Sequence, residues 1–336
     1  MNCKKITFTI FALLNILIIL FLMGSMKAEA AAGTIYESEP NDDFDYADVT
    51  YDDYDNYGNI TANDTQGDMW VVEFPYSGYA NFWVGNIPAG CNYDLAVYDL
   101  VDGVVLGVSQ KTGNKQELLT LPVVAGREYY IYVLPATQVY SSSNYKMRAK
   151  LYPEANLNIP LHEQLIDNTC SAASARMVLY NYGWNLSEEG IVDKMVDLGN
   201  DNGVAWNLAR NVARTINYYL ELSRKPTRYN AVWIGNLSET AYTERLIDNI
   251  CNGYPVIPLI TVYESNIAND TEHFHRTTPG HYIVAKGIYY DFDSGIFRSI
   301  INDPFYQHSI IYNEMPVSMV WTCNMNHPYD FIICVN

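Results

Sequence analysis

The sequence has few cysteines, prolines and basic residues for its length. Six cysteines in 336 residues are too few for a scaffold held by disulfide bonds, and 14 prolines with 20 glycines exclude collagen-like and low-complexity chains. Only 20 lysines and arginines stand against 38 acidic residues, giving a net charge of -18, so nucleic acids and anionic membrane surfaces would be repelled. With 49% hydrophobic residues the chain can bury a large core, and its length predicts two domains.

Long apolar runs are missing except at the N-terminus. Lys4 and Lys5 precede an apolar stretch over residues 6–23, and Ala28-Glu29-Ala30 has the small-x-small pattern that signal peptidase cleaves. We therefore expect residues 1–30 to be a signal peptide and the mature chain to be exported, either secreted or held at the cell surface, with no other membrane contact. An uncleaved anchor is the alternative, because the apolar run approaches the roughly 20 residues that span a bilayer.

Export would leave an odd number of cysteines in a compartment where thiols oxidise. At least one of them then stays reduced or pairs between chains. A bridge between Cys323 and Cys334 and buried free thiols are both compatible with the spacing. The five cysteines that follow residue 30 are Cys91, Cys170, Cys251, Cys323 and Cys334.

The first half of the mature chain is predicted to be all β. Short runs of β-branched and aromatic residues are separated by turn signals such as Asp102-Gly103 and Ala125-Gly126, which provide positive φ angles. Seven short strands with no helical period between them predict a sandwich or jelly roll over residues 36–152. The expected strands cover residues 69–74, 79–84, 93–98, 104–108, 117–121, 129–134 and 145–151.

Three segments of this half carry a family resemblance. The opening Glu37-Ser38-Glu39-Pro40-Asn41-Asp42-Asp43, the strand Asn92–Asp99 and the late strand Gly126–Val133 together resemble the bacterial pre-peptidase C-terminal domain. The resemblance implies a non-catalytic accessory of a secreted bacterial peptidase. The acidic opening could also bind Ca²⁺, which prefers six to eight oxygen ligands. A solvated acidic surface without a metal is the alternative.

Residues 153–160 are polar, bounded by Pro153 and Pro160 and free of alternation, so they are predicted to be a linker. Helical and strand periods are mixed in residues 161–336, which predicts an α+β second domain.

Cys170 is predicted to begin a buried helix. Ala175, Val178, Leu179 and Tyr182 follow at helical spacing and form one apolar stripe. Unpaired backbone N–H groups and the positive end of the helix dipole favour a thiolate at such a position, and the thiolate is the nucleophilic form. A buried, inert thiol is the alternative for a cysteine without partners.

Three residues with suitable chemistry are the predicted partners of Cys170. Gln164 could donate its side-chain amide to an oxyanion. His281 opens a strand-like run that would hold its imidazole rigidly, and Asp303 follows a second strand, where its carboxylate could orient that imidazole.

Four segments of the second domain resemble the landmarks of one family, and in its order. That family is the papain-like group of cysteine peptidases related to the double-glycine leader peptidases of bacteriocin export. The resemblance implies a triad of Cys170, His281 and Asp303 with Gln164 as the oxyanion donor. One landmark differs, because Ser171-Ala172 replaces the usual Gly-Pro or Gly-Ala. The matching segments are residues 164–170, 249–257, 280–282 and 301–304.

The first hypothesis is therefore an exported cysteine peptidase that hydrolyses a peptide or protein and needs no cofactor. A surface binding or adhesion protein that has lost the chemistry is the second, since the Ser171-Ala172 change permits it. Acyl transfer by the same triad is the third. A zinc site of His273, His275 and His281 is less well supported, because no His-Glu-x-x-His spacing accompanies them. The sequence indicates no oligomeric state.

Overall fold

The computed structural model describes residues 31–63, 66–203, 205, 207–269, 277–305 and 313–335. The predicted signal peptide, His273 and His275 lie outside these residues. No helix within the described ranges is both long and apolar enough to cross a membrane.

Two five-stranded sheets form the N-terminal domain, and all seven strands predicted there are present. The strands Gly33–Tyr36, Asp48–Thr50 and Tyr54–Gly58 add to them in and just before the acidic opening, where the sequence indicated none. The first sheet has the order β1 (Gly33–Tyr36), β3 (Tyr54–Gly58), β10 (Tyr145–Pro153), β5 (Gly78–Gly85) and β8 (Glu117–Val123). The second has the order β2 (Asp48–Thr50), β4 (Asp68–Glu73), β9 (Glu128–Pro135), β6 (Tyr93–Asp99) and β7 (Val104–Ser109).

Alternating side chains of the two sheets fill the space between them. In β10 every second residue is buried, from Tyr145 through Met147 and Ala149 to Leu151, as expected for a strand with one face on the core. The buried Trp70 of β4 donates its indole N–H to the Tyr145 hydroxyl across the sandwich, at 3.0 Å. The all-β architecture predicted for this half is therefore confirmed.

The second domain mixes helices with two four-stranded sheets, as the α+β prediction requires. One sheet has the order β11 (Ala155–Asn156), β15 (Val284–Asp291), β16 (Ile296–Asn302) and β17 (Glu314–Pro316). The other has the order β12 (Tyr229–Trp233), β18 (Phe331–Val335), β13 (Ile257–Val262) and β14 (Thr278–Tyr282). The helices are α1 (Cys170–Asn181), α2 (Glu188–Asn202), α3 (Ala209–Leu222), α4 (Glu239–Cys251), α5 (Glu264–Asn269) and α6 (Val317–Met325).

Two apolar cores hold this domain together. The core that includes Val178, Ile216 and Val284 joins α1, α2 and α3 to the strands. The core that includes Ile250, Ile301 and Val320 joins α4 and α6 to them. Among the described cysteines the structure contains no disulfide bond. The two cores bury apolar area, which stabilises the folded domain.

The junction between the domains contains structure where the sequence predicted a linker. Ala155–Asn156 pairs with β15, and the Leu157 N–H donates to the Lys286 carbonyl oxygen at 2.8 Å. The Tyr152 and Tyr290 rings pack with centroids 4.3 Å apart. A two-residue strand is too short to produce a period in the sequence, so its pairing depends on the partner strand.

Asn324 of α6 is a buried polar residue that joins four elements of the second domain. Its amide donates to the carbonyl oxygens of Leu259 and Phe331 at 2.7 and 3.1 Å, and its side-chain oxygen accepts from the Tyr242 hydroxyl at 3.2 Å.

Replacing Asn324 by Ala leaves these three groups without their partner, and two of the three hydrogen bonds are buried. Because each unsatisfied buried group costs about 1–3 kcal/mol, we expect Asn324→Ala to lower the free energy of unfolding of the second domain by about 3 kcal/mol. Chemical denaturation measures the change, with the exposed Asn200→Ala of α2 as the control. Equal stability of the two variants would contradict the assignment.

Candidate active site

Cys170 is the first residue of α1, as the sequence predicted. The four residues that follow it, Ser171–Ser174, are small and buried, which lets the helix start pack closely against the sheet. The Ser174 hydroxyl donates to the Tyr282 carbonyl oxygen at 3.2 Å. This bond ties the helix that carries Cys170 to strand β14, which carries His281.

His281 and Asp303 come from different sheets and meet in the interior. His281 lies in β14 and pairs with Ile260 of β13, whereas Asp303 directly follows β16. Both side chains are buried, and His281 Nε2 lies 2.5 Å from Asp303 Oδ1. The Phe305 backbone N–H donates to the same oxygen at 2.7 Å. Because Nε2 faces Asp303, Nδ1 is the ring nitrogen that can form a hydrogen bond with the Cys170 thiol.

Contact with His281 gives Cys170 the electrostatics of a nucleophile. Burial acts to raise the pKa of the Cys170 thiol, but the hydrogen bond and charge of His281, with the backbone N–H groups of Tyr282 and Ser171, hold that pKa below its ordinary value. Burial acts to lower the pKa of His281, yet the charge and hydrogen bond of Asp303, together with Cys170, raise it. Both shifts favour a thiolate next to an imidazolium.

Gln164 lies near these residues through its backbone. Its N–H donates to the Pro304 carbonyl oxygen at 2.8 Å, which places it beside the turn that carries Asp303. Its exposed side-chain amide donates to the Ile166 carbonyl oxygen at 3.3 Å. The structure thus brings Gln164 next to the Asp303 turn, and its role as oxyanion donor stays a prediction.

One residue near the site, Glu188, could not be predicted from the sequence. Glu188, in the first turn of α2, is buried and accepts the Leu165 N–H at 3.0 and 3.2 Å with its two carboxylate oxygens. The Thr169 hydroxyl also contacts it. The sequence places Glu188 next to a helix cap, where acidic residues are common, and so gives no reason to connect it with Cys170.

A second cluster of polar residues lies in the acidic opening of the β domain. Carboxylate oxygens of Glu37, Glu39 and Asp68 lie within 4.8 Å of one another. Burial raises the pKa of Glu37 to about 7, and the charges of Glu39 and Asp48 act in the same direction. The hydrogen bond from the Asn59 N–H lowers this pKa and only partly offsets the rise. Close carboxylates of this kind repel one another unless a proton or a cation lies between them.

Comparison with known proteins identifies the second domain. The profile of the Peptidase_C39 like family matches residues 156–324, half of the chain. Both domains therefore have the predicted fold class, with a cysteine-peptidase-like domain following the all-β domain. No curated protein sequence is significantly similar to the chain.

Several solved structures are similar to part of the chain. The pre-peptidase C-terminal domain of a collagenase from Bacillus anthracis is 16% identical, with 34% of this chain and 100% of that chain covered, at a TM-score of 0.28. The C-terminal CBM6 module of a laminarinase from Zobellia galactanivorans is 15% identical, with 25% and 71% covered, at a TM-score of 0.18. A CBM6 module of a lichenase from Cellvibrio mixtus is 16% identical, with 25% and 71% covered, at 0.17.

The lowered pKa of Cys170 predicts alkylation by iodoacetamide at neutral pH. In His281→Ala the half-buried thiol loses the imidazolium, so its pKa rises, less thiolate is present at neutral pH and alkylation slows several-fold. Mass spectrometry of labelled peptides measures the rate. Cys251 of the same chain is the control, because burial and Asp248 raise its pKa to about 11. Equal labelling of both cysteines would contradict an activated thiolate.

Proposed function

Because the chain belongs to the Peptidase_C39 like family, we propose that it is a cysteine peptidase in which Cys170 is the nucleophile. The observation that carries this proposal is the buried contact of His281 with Asp303, 2.5 Å between Nε2 and Oδ1, beside a cysteine whose pKa His281 lowers. A buried imidazole turned toward both a carboxylate and a thiol is the arrangement that general acid–base catalysis with a cysteine nucleophile requires.

The reaction proceeds through an acyl-enzyme. The Cys170 thiolate attacks the carbonyl carbon of the substrate amide, and the oxyanion that forms accepts hydrogen bonds from the Cys170 backbone N–H and the Gln164 amide. When the C–N bond breaks, the His281 imidazolium gives its Nδ1 proton to the leaving amine. His281 then takes a proton from water, which attacks the thioester, and cleavage of the C–S bond regenerates the thiolate.

Asp303 acts on His281 rather than on the substrate. Its carboxylate fixes the ring orientation and directs the Nδ1 side to Cys170. The charge of Asp303 raises the pKa of His281, so the imidazolium persists at a pH where the thiolate is also present.

We place this activity outside the cell. The proposal rests on the basic and apolar pattern of residues 4–23 and on the Ala28-Glu29-Ala30 motif. The resemblance of the β domain to accessories of secreted bacterial peptidases agrees with it. The substrate is then a peptide or protein in the surroundings of a bacterial cell.

Incubation with a peptide library tests the proposal. Full-length protein is expected to cleave amide bonds, and Cys170→Ala is expected to reduce turnover by roughly 10⁴-fold or more, because the other groups act only through the thiolate. Mass spectrometry of the products also distinguishes hydrolysis from acyl transfer, since transfer leaves the acyl group on an amine. Cleavage that persists in Cys170→Ala would refute a cysteine peptidase, and a library left intact would favour a binding protein.

We further propose that Glu37, Glu39 and Asp68 of the β domain hold a Ca²⁺ ion. These residues fit a hard cation, because each offers one carboxylate oxygen and these oxygens lie within 4.8 Å of one another. The ion would neutralise the mutual repulsion of the carboxylates. It would thereby tie the N-terminal strands to the sandwich.

Calcium should raise the melting temperature of the full chain by several degrees, because binding to the folded state alone is stabilising. Since Ca²⁺ requires the ionised carboxylate, the shift should diminish as pH falls below about 7, the raised pKa of Glu37. The exposed Glu39→Gln should lose the shift, whereas Glu73→Gln, at the exposed end of β4, should keep it. Differential scanning calorimetry measures both, and an identical shift in the two variants would contradict this site.

A further inference from the structure

The loop of residues 165–169 connects the two groups that would bind the oxyanion. At one end Gln164 is fixed by its bond to the Pro304 carbonyl oxygen, and at the other Cys170 begins α1. Within the loop Asn168 has a φ of 67°, a left-handed conformation that few side chains adopt. The shape of this loop therefore sets the distance between the Gln164 amide and the Cys170 backbone N–H.

A buried carboxylate from a different element holds both ends of that loop. The two oxygens of Glu188 accept the Leu165 N–H at 3.0 and 3.2 Å. The Thr169 hydroxyl contacts Glu188 Oε1 and lies 2.5 Å from the Ile166 carbonyl oxygen. Leu165 directly follows Gln164, and Thr169 directly precedes Cys170. One side chain thus spans the whole loop.

The position of Glu188 suits a buried negative charge. It occupies the first turn of α2, where Ser187 caps the helix by accepting the Gly190 N–H at 3.1 Å. The positive end of the helix dipole stabilises an anion there. Charge-assisted hydrogen bonds to a carboxylate are also stronger than those between neutral groups.

We propose that Glu188 is a positioning residue that holds the loop from Gln164 to Cys170 in the geometry of an oxyanion site. This inference rests on the proposed function. Glu188 touches neither the substrate nor the reacting sulfur, and it acts on the backbone through Leu165 and Thr169. Oxyanion donors stabilise the transition state only within a few tenths of an ångström of their ideal place, so a loop that lost this clamp would lower the rate of acylation.

Two reactions of the same thiolate test the proposal. Alkylation by iodoacetamide needs the thiolate but forms no oxyanion, whereas acylation by p-nitrophenyl acetate passes through one. We expect Glu188→Gln, which loses one of the carboxylate acceptors, to slow the p-nitrophenolate burst about tenfold or more and to leave the alkylation rate and its pH profile within about twofold. Cys170→Ala provides the blank for reaction at other groups.

Further variants separate positioning from general destabilisation. Thr169→Val removes only the hydroxyl at one end of the clamp and should produce a smaller loss of acylation with alkylation unchanged. Glu189→Gln changes the exposed neighbour on the same helix turn and should match the wild type in both reactions. In a Gln164→Ala background Glu188→Gln should cause a smaller loss than it does alone, because one of the two donors that it positions is already missing.

Each outcome has a distinct meaning. A parallel loss of alkylation and acylation in Glu188→Gln would overturn the positioning role, because the variant would then disturb the nucleophile or the fold. An unchanged burst would overturn it as well. Wild-type protein that is alkylated at Cys170 but never acylated would instead refute the proposed peptidase, and with it any oxyanion geometry for Glu188 to maintain.

Discussion

The contact between His281 and Asp303 is the constraint on which the rest of the second domain depends. Both side chains are buried, and a buried charge is costly unless it is paired and hydrogen-bonded. The pair meets this requirement at 2.5 Å, with the Phe305 N–H as a further donor to Asp303. Removing either partner from a buried pair typically costs about 3–5 kcal/mol, so the two strands that carry these residues must keep their relative position.

That position is built from backbone pairing of consecutive strands. The chain leaves β14 after Tyr282 and enters β15 at Val284, which pairs with Asn302, next to Asp303. The Asn302 amide donates to the Ile159 carbonyl oxygen at 3.0 Å, and Pro304 accepts from Gln164. The turn that presents Asp303 therefore also fixes the segment leading to Cys170. One turn therefore orients the His281 imidazole through Asp303 and also holds the segment before Cys170 through Gln164.

Sequence reasoning succeeded where a signal repeats over many residues. The stripe from Ala175 to Tyr182 correctly predicted the helix behind Cys170, and the alternation over residues 145–151 correctly predicted β10. It failed for β11, which is two residues long, and for β1–β3, which are four, three and five residues long. These strands exist because a partner strand supplies hydrogen bonds, and a partner is visible only after folding.

Glu188 shows the same limit at the candidate site. Chemistry and order single out Cys170, His281 and Asp303, because thiol, imidazole and carboxylate have reactive roles that a reader of the sequence can combine. A glutamate in the first turn of a helix has an ordinary local explanation. Its contact with Leu165 spans 23 residues, and only the packing of α2 against the loop before α1 creates it.

The thiolate of the proposed mechanism would form in a chain whose overall charge opposes a further negative charge. The net charge is -18, but exposed charges are screened beyond about 8 Å at physiological ionic strength. The imidazole of His281 and the start of α1 lie within direct contact of Cys170 and are shielded from salt by burial, so they decide the pKa of the thiol. In the proposed peptidase the acidic surface would act at longer range, on the encounter with a substrate. Ionic strength should therefore influence substrate capture more than nucleophile formation, because the two depend on charges at different distances and depths.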